Sequence, residues 1–440
     1  MTKLRLLPLA AAIGLSLAGP ARADTLLQMY EAARAYDATW QSAKLQYDSS
    51  EFRAEQARSG LLPQAAITAG VSRSHLDIDV PNTDRAFGTQ NATLSASQPL
   101  YRPANLATYN QAQRQLQQAR YQLTAAGQDL IIRVSQAYFD VLGAQDTLTF
   151  VRAQKQATAE QLASAKRNFE VGTTTITDTR EAQARYDLVQ AQEIQAENDL
   201  HVKKLALDTL VGKQDAQPDP VGPLKDVPPP QPANPEAWVA AAEDASPAIL
   251  QAKAGVQVAE LETEKARAGH KPTVDLTASY GWIHNVDGSA VSTIDNRPKQ
   301  ATAGITLTLP LFSGFAVQNR IRETLALEDK ARSDLEAARR QVAQAVRTAY
   351  FGVVSGLGQV RALEAAEASS QSSLDANLLG YQVGVRINID VLNAQTQLYQ
   401  TKRDLSQARY NVLLGQLRLR QANGTLQAED LTRMSALLAR

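Results

Sequence analysis

The sequence predicts a mainly α-helical chain carrying a share of a transmembrane β-barrel, with the whole pattern written twice. A trimeric assembly, four strands per chain, would close a barrel of about 12 strands and continue it as a long α-helical barrel. Three observations carry this reading: two proline-free tracts of helical period, four short segments of period two, and an internal repeat.

The helices come first. Of 440 residues, 44% are hydrophobic but only 5% aromatic, and much of the remainder is alanine, a composition suited to long, thin helices packed through small side chains. Proline is absent from residues 104–217 and 311–440. Long helices are expected from 104 to about 169 and from 315 to about 380. Each reaches roughly 100 Å at 1.5 Å per residue, several times a hydrocarbon core of about 30 Å, so each must project away from any membrane. A Val-Gly turn follows each, at Val171-Gly172 and Val383-Gly384, and then a second helix, 179–210 and 391–422. The unit is a helical hairpin.

The hairpin is duplicated. Gly60-Leu61-Leu62-Pro63 lies opposite Gly269-His270-Lys271-Pro272, Gln98-Pro99-Leu100-Tyr101 opposite Leu309-Pro310-Leu311-Phe312, and Ala137-Tyr138-Phe139 opposite Ala349-Tyr350-Phe351, with the offset drifting only from 209 to 212. The apolar seam repeats in phase as well. Ala119, Leu123, Ala126, Leu130, Val134, Ala137, Val141, Ala144, Leu148 and Val151 become Ala331, Leu335, Ala338, Val342, Val346, Ala349, Val353, Gly356, Val360 and Leu363. Steps of 4 and 3 alternate except at Ala126, Leu130 and Val134, a stutter that locally unwinds a left-handed supercoil. Untwisted helices can stand side by side as staves of a wide cylinder; an ordinary two-stranded coiled coil is the alternative. Eight of the 18 prolines fall between Pro218 and Pro235 and mark an extended connector. The expected division is a signal peptide at 1–23, a first repeat at 24–213, a linker at 214–235, a second repeat at 236–424 and a C-terminal tail at 425–440.

Between the first helix and the long helix of each half the period changes to two. Leu276, Tyr280 and Trp282, then Ile305 and Leu307, alternate with Thr277, Ser279, Gly281, Gly304 and Thr306; Ile67 and Val71 form a weaker copy. One face is apolar with aromatics near an end, the other small and polar, which is the pattern of a barrel strand between lipid and water. Loops 75–90 and 285–299 are expected to join the pairs as exposed tips. Soluble hairpins packed on themselves are the alternative. In hydrocarbon, four strands cannot leave their edges open, so copies must pool them.

Composition removes several function classes. Basic and acidic residues number 45 each, which offers no excess for a nucleic-acid backbone. There is no cysteine, hence no disulfide, thiolate metal site, cysteine nucleophile or lipidated N-terminal cysteine. The four histidines, His75, His201, His270 and His284, show no helical metal spacing, and no phosphate loop or nucleophile elbow is present. No cofactor and no enzymatic activity are expected. Lys3 and Arg5, the apolar run 6–18 and the small-residue site Ala21-Arg22-Ala23 read as an export signal cleaved after Ala23. Its removal with Arg22 leaves 42 basic against 45 acidic residues.

The repeated motifs, with Asn168-Phe169-Glu170-Val171-Gly172 through Asp178 and Tyr381-Gln382-Val383-Gly384-Val385-Arg386 through Asp390-Val391-Leu392, resemble the TolC family of outer membrane channel-tunnel proteins across nearly all of residues 24–431. The resemblance implies a homotrimer in the outer membrane lipid of a Gram-negative bacterium. A periplasmic helical extension would dock on a periplasmic adaptor (membrane fusion) protein and an inner-membrane ABC or proton-driven transporter, for type I secretion of proteins, for drug efflux, or for both. A pore-free periplasmic coiled-coil adaptor or structural protein is the alternative. By the resemblance, Thr177, Asp178, Tyr381 and Arg386 form a periplasmic gate. Two acidic residues one turn apart form a constriction in the family, and here they correspond to Asp390 and Asn393. The single carboxylate implies weaker cation selectivity than a two-carboxylate ring. Asp178 and Asp390 are also natural caps for the helices after them.

Overall fold

The computed structural model describes residues 24–80, 82–219 and 228–438. The expected signal peptide and residues 220–227 of the expected linker lie outside the described residues.

The first repeat begins with helices α1 (Leu26–Tyr36) and α2 (Ala38–Arg58), continues with strands β1 (Gln64–Asp79) and β2 (Asn82–Tyr101), and ends with α3 (Pro103–Glu170) and α4 (Ile176–Val211). The second has the same order: α5 (Pro235–Ala245), α6 (Pro247–Arg267), β3 (Thr273–Val286), β4 (Lys299–Thr308), α7 (Ala316–Gln382) and α8 (Asn388–Ala422); α9 (Ala428–Leu438) follows. Proline at the first helical position starts α3, α5 and α6, where its missing amide costs nothing. Both Val-Gly turns close with the glycine at φ 75°, a left-handed conformation that glycine adopts without strain.

None of the twenty seam positions is exposed: seven of ten in α3 and four of ten in α7 are buried, and the rest are half-buried. A Cβ on Gly356 would lie 2.8 Å from Val412 of α8, so the small residue sets how closely α7 and α8 approach. The largest core sits midway along the helices. Leu26, Met29 and Ala33 of α1, Leu130, Val134 and Tyr138 of α3, Leu207 of α4, Leu413 and Leu417 of α8, and Leu431 of α9 are buried together there. Asp37 anchors this belt. It caps α2 through the Trp40 amide at 2.7 Å and takes a bidentate bond from Arg133 of α3. The Arg133 guanidinium is the main reason its carboxyl titrates below the usual carboxylate range.

The four strands form one antiparallel sheet in the order β1-β2-β3-β4. Residues 75–79 and 82–90 are strand, not loop. The β1–β2 ladder runs on through His75↔Ala86 to Asp79↔Asn82. Leu76 and Ile78 alternate with His75, Asp77 and Asp79, but on the parity opposite to Ile67 and Val71, and 82–90 show no alternation; the ladder hydrogen bonds are made by the backbone whatever the side chains. The second tip keeps a long connection between Val286 and Lys299.

Candidate functional site: a strand strip and a helical tip

The sheet register puts Ile67, Leu94 and Tyr280 in one row across β1, β2 and β3, and Leu276 beside Ile305. Val71, Trp282 and Leu307 fall on the same face by the two-residue period. Ile67 and Val71 are 76% and 82% exposed, and Leu276, Tyr280, Trp282, Ile305 and Leu307 are exposed too. Thr68, Ser72, Thr277, Ser279, Gly304 and Thr306 occupy the other face. A continuous apolar face of this extent on one side of a sheet, with no covering element among the described residues, is a surface for lipid or for another protein. Arg102, just before α3, clamps Asp275 of β3 by two bonds of 2.7 and 2.6 Å, fixing the sheet to the helical part. Among the described residues no helix is long and apolar enough to cross a membrane.

At the far end, both hairpins finish side by side. Helix α4 begins at Ile176, earlier than its sequence-based start, because Thr175 is the cap: its hydroxyl accepts from the Asp178 amide, and Asp178 accepts from the Thr175 amide at 3.2 Å. Asp178 is therefore the third residue of a capping box, not the cap itself. Asp390 is placed likewise in the first turn of α8, whose cap residue is the apolar Ile387. It makes no capping bond and lies 3.7 Å from Arg386. A capping role for Asp390 is thus corrected.

The four gate candidates do not bond one another within a chain. Thr177 is exposed, Asp178 is engaged by Thr175, Arg386 faces Asp390, and the Tyr381 hydroxyl accepts from Asn168 Nδ2 at 3.3 Å across the two hairpins. Asn393 is exposed and accepts a 3.0 Å bond from Arg185 of α4. Sequence reasoning missed two groups here. One is Arg185; the other is Asn388, fully buried, which accepts from Gln161 at 2.6 Å and donates to the Asp178 carbonyl at 3.1 Å. It braces α3, α4 and α8 in one network. Buried polar groups must be paired, but only the fold shows that Gln161 and Asn388 meet.

The chain matches the outer membrane efflux protein family over residues 29–213 and again over 238–425, once per repeat. It is 34% identical to the outer membrane protein TolC of Vibrio cholerae over 434 residues, 98% of each chain. It is 33% identical to the alkaline protease secretion protein AprF of Pseudomonas aeruginosa, covering 93% of this chain and 86% of that one. Its fold superposes on the outer membrane protein VceC of Vibrio cholerae with a TM-score of 0.78 at 18% identity, covering 91% of this chain and 96% of that one. An exposed apolar strand strip continued by paired helical hairpins, on a chain with such relatives, has one placement: this protein belongs to the outer membrane efflux protein family and is an outer membrane exit duct.

Proposed function

We propose that three copies form the duct head to tail, with β4 of each pairing with β1 of the next, and that it serves type I secretion, drug efflux or both. Its periplasmic tip would meet an adaptor protein and an inner-membrane transporter. The observation that carries this reading is a difference between repeats. Phe139 of α3 is 3% exposed, stacked at 5.7 Å on Tyr410 of α8, whereas its counterpart Phe351 of α7 is 56% exposed. Leu142 and its counterpart Val354 differ in the same way, at 2% and 44%. In the first repeat the cover is α8. The counterpart of α8 is α4, and α4 of the same chain does not pack extensively along α7 as α8 does along α3, so a second copy would supply the cover. The edges β1 and β4 require the same neighbour.

On this reading Ile67, Val71, Leu276, Tyr280, Trp282, Ile305 and Leu307 face lipid, and Thr177, Asp178, Tyr381 and Arg386 lock neighbouring copies at the tip. Charge-assisted bonds of about 1.5–3 kcal/mol suit a lock that yields to a docking partner. Residues 1–23 act as the cleaved export signal. Fractionation tests the core claim: the mature chain is expected in the outer membrane as an oligomer that runs as a trimer unheated and as a monomer after boiling. A chain soluble without detergent and monomeric would refute it.

A further inference from the structure

Asp390 and Asn393 stand one helical turn apart on α8, and the structure puts a cation on each. Arg386 lies 3.7 Å from the Asp390 carboxylate. Arg185 reaches from α4 to donate its Nη2 to Asn393 Oδ1 at 3.0 Å. Asn393 is exposed and Arg185 only half-buried, so the guanidinium is accessible to whatever passes this surface. Two acidic residues of α4 near Arg185 are hydrogen-bonded elsewhere: Asp178 is held in its capping box and Asp187 accepts from Gln183 at 2.8 Å. Glu181 lies one turn toward the tip.

We infer that Arg185 is a selectivity-determining residue of the duct's constriction, seated by Asn393 so that the inner layer of the ring carries guanidinium where a carboxylate would otherwise attract cations. The inference rests on the proposed duct and on the constriction that the family resemblance implies at Asp390 and Asn393. In a trimer the two layers are three carboxylates, each already facing Arg386, and three guanidiniums. Fixed charge in a narrow, low-dielectric passage acts on permeating ions far more strongly than the same charge on an open surface. Such a ring does not concentrate multivalent cations. It favours small anions and the carboxylates of acidic polypeptides.

The test is planar-bilayer recording of the full-length trimer at low ionic strength, reading the potassium-to-chloride permeability ratio and the half-blocking concentration of hexaamminecobalt(III). Arg185→Gln is expected to raise the permeability ratio at least threefold and lower the half-blocking concentration about tenfold, while Arg185→Lys keeps the wild-type values. Asn393→Asp provides a second arm that leaves Arg185 in place. Beside intact Arg185 the new carboxylate is neutralised and strengthens block less than threefold; combined with Arg185→Gln it does so more than tenfold. Unchanged permeability and block in Arg185→Gln channels, or an equal effect of Asn393→Asp with and without Arg185, overturns the assignment. Wild-type protein that forms no channel at all refutes the duct itself, a different outcome from a channel indifferent to Arg185.

Discussion

The repeat fixes which residues should meet where two copies join. Strand β1 maps onto β3 with an offset of 209, as Pro63 onto Pro272, and β2 onto β4 with 211, as Pro99 onto Pro310. The ladders obey the mapping: Ile67↔Leu94 becomes Leu276↔Ile305, and both pairs are observed. Applied to Leu94↔Tyr280 of the central pair, it sets Ile305 of one copy opposite Val71 of the next, and hence Gly304 opposite Ser72 on the polar face. Paired residues there would have Cα atoms about 4.5–5.5 Å apart, within the 4.4–6.8 Å a disulfide spans. A slip of two residues adds about 7 Å along the strand and puts them out of reach; a slip of one turns them to opposite faces. The outer edge of the ten-residue β4 presents on the order of ten unpaired backbone groups at several kcal/mol each in hydrocarbon, so the edge cannot stay open. The chain has no cysteine, which gives a clean background. Ser72→Cys with Gly304→Cys, where an added Cβ meets nothing within 4 Å, is expected to yield covalent dimers and trimers on oxidation, seen on non-reducing gels after boiling. Ser72→Cys with Thr302→Cys should not. Cross-linking in the second pair but not the first refutes the register, and in neither refutes the head-to-tail ring.

Phe351→Ala removes the exposed aromatic face assigned to the seam between copies. Burying roughly 100 Å² of that ring is worth about 2–3 kcal/mol, so the temperature at which unboiled trimers dissociate should fall, while Leu325→Ala, at a half-exposed position outside the Phe351 contact, should move it little. Asp37 titrates below its ordinary range because of Arg133, so its contribution is complete above the unfolded carboxylate value and is lost as the pH falls through the lower folded one. The protection factors of the α1 and α2 amides, observed exchange set against the intrinsic rate at each pH, should therefore fall on acidification below about pH 4, and Asp37→Asn should already show the lower protection at neutral pH.

The sequence made the long elements legible because packing repeats what it selects. The twenty seam positions could be read from spacing alone, since a side chain too large or too polar at any of them would keep two 100 Å helices apart. The strand faces of β3 and β4 were legible for the same reason, being half in one solvent and half in another. The outer half of β1 and β2 was harder, because Leu76 and Ile78 alternate with His75, Asp77 and Asp79 on the face opposite to Ile67 and Val71, and residues 82–90 carry no matching alternation. The tip was harder still. Asp178 and Asp390 occupy equivalent places in their helices, yet one is bound in a capping box and the other faces an arginine, a difference set by whether Thr175 or Ile387 precedes them. Asn388 and Arg185 matter through partners more than 200 residues away. No local pattern announces such partners.

The duplication finally separates two kinds of seam around the tube, one inside each chain and one between copies. Inside the chain many ties cross from the first repeat to the second, and three of them mark its length: Arg102 to Asp275 at the barrel junction, Phe139 against Tyr410 midway, and Gln161 to Asn388 at the tip. Carried to the seam between copies by the repeat offsets, these become Ser313 with Ala66, Phe351 with Asn198, and Ser373 with Ile176. An ion pair, an aromatic stack and a buried amide pair are each absent there. Opening should therefore occur between copies, each chain's four long helices moving as one body. Transplanting the tip brace tests this. Ser373→Gln with Ile176→Asn places the Gln161 and Asn388 pair on the seam between copies, adding three buried amide bonds per trimer at about 1 kcal/mol each. Single-channel conductance and export through the intact complex are expected to fall, with neither single variant doing the same. If the double variant conducts and exports as the wild type does, the seam between copies is not where the duct opens.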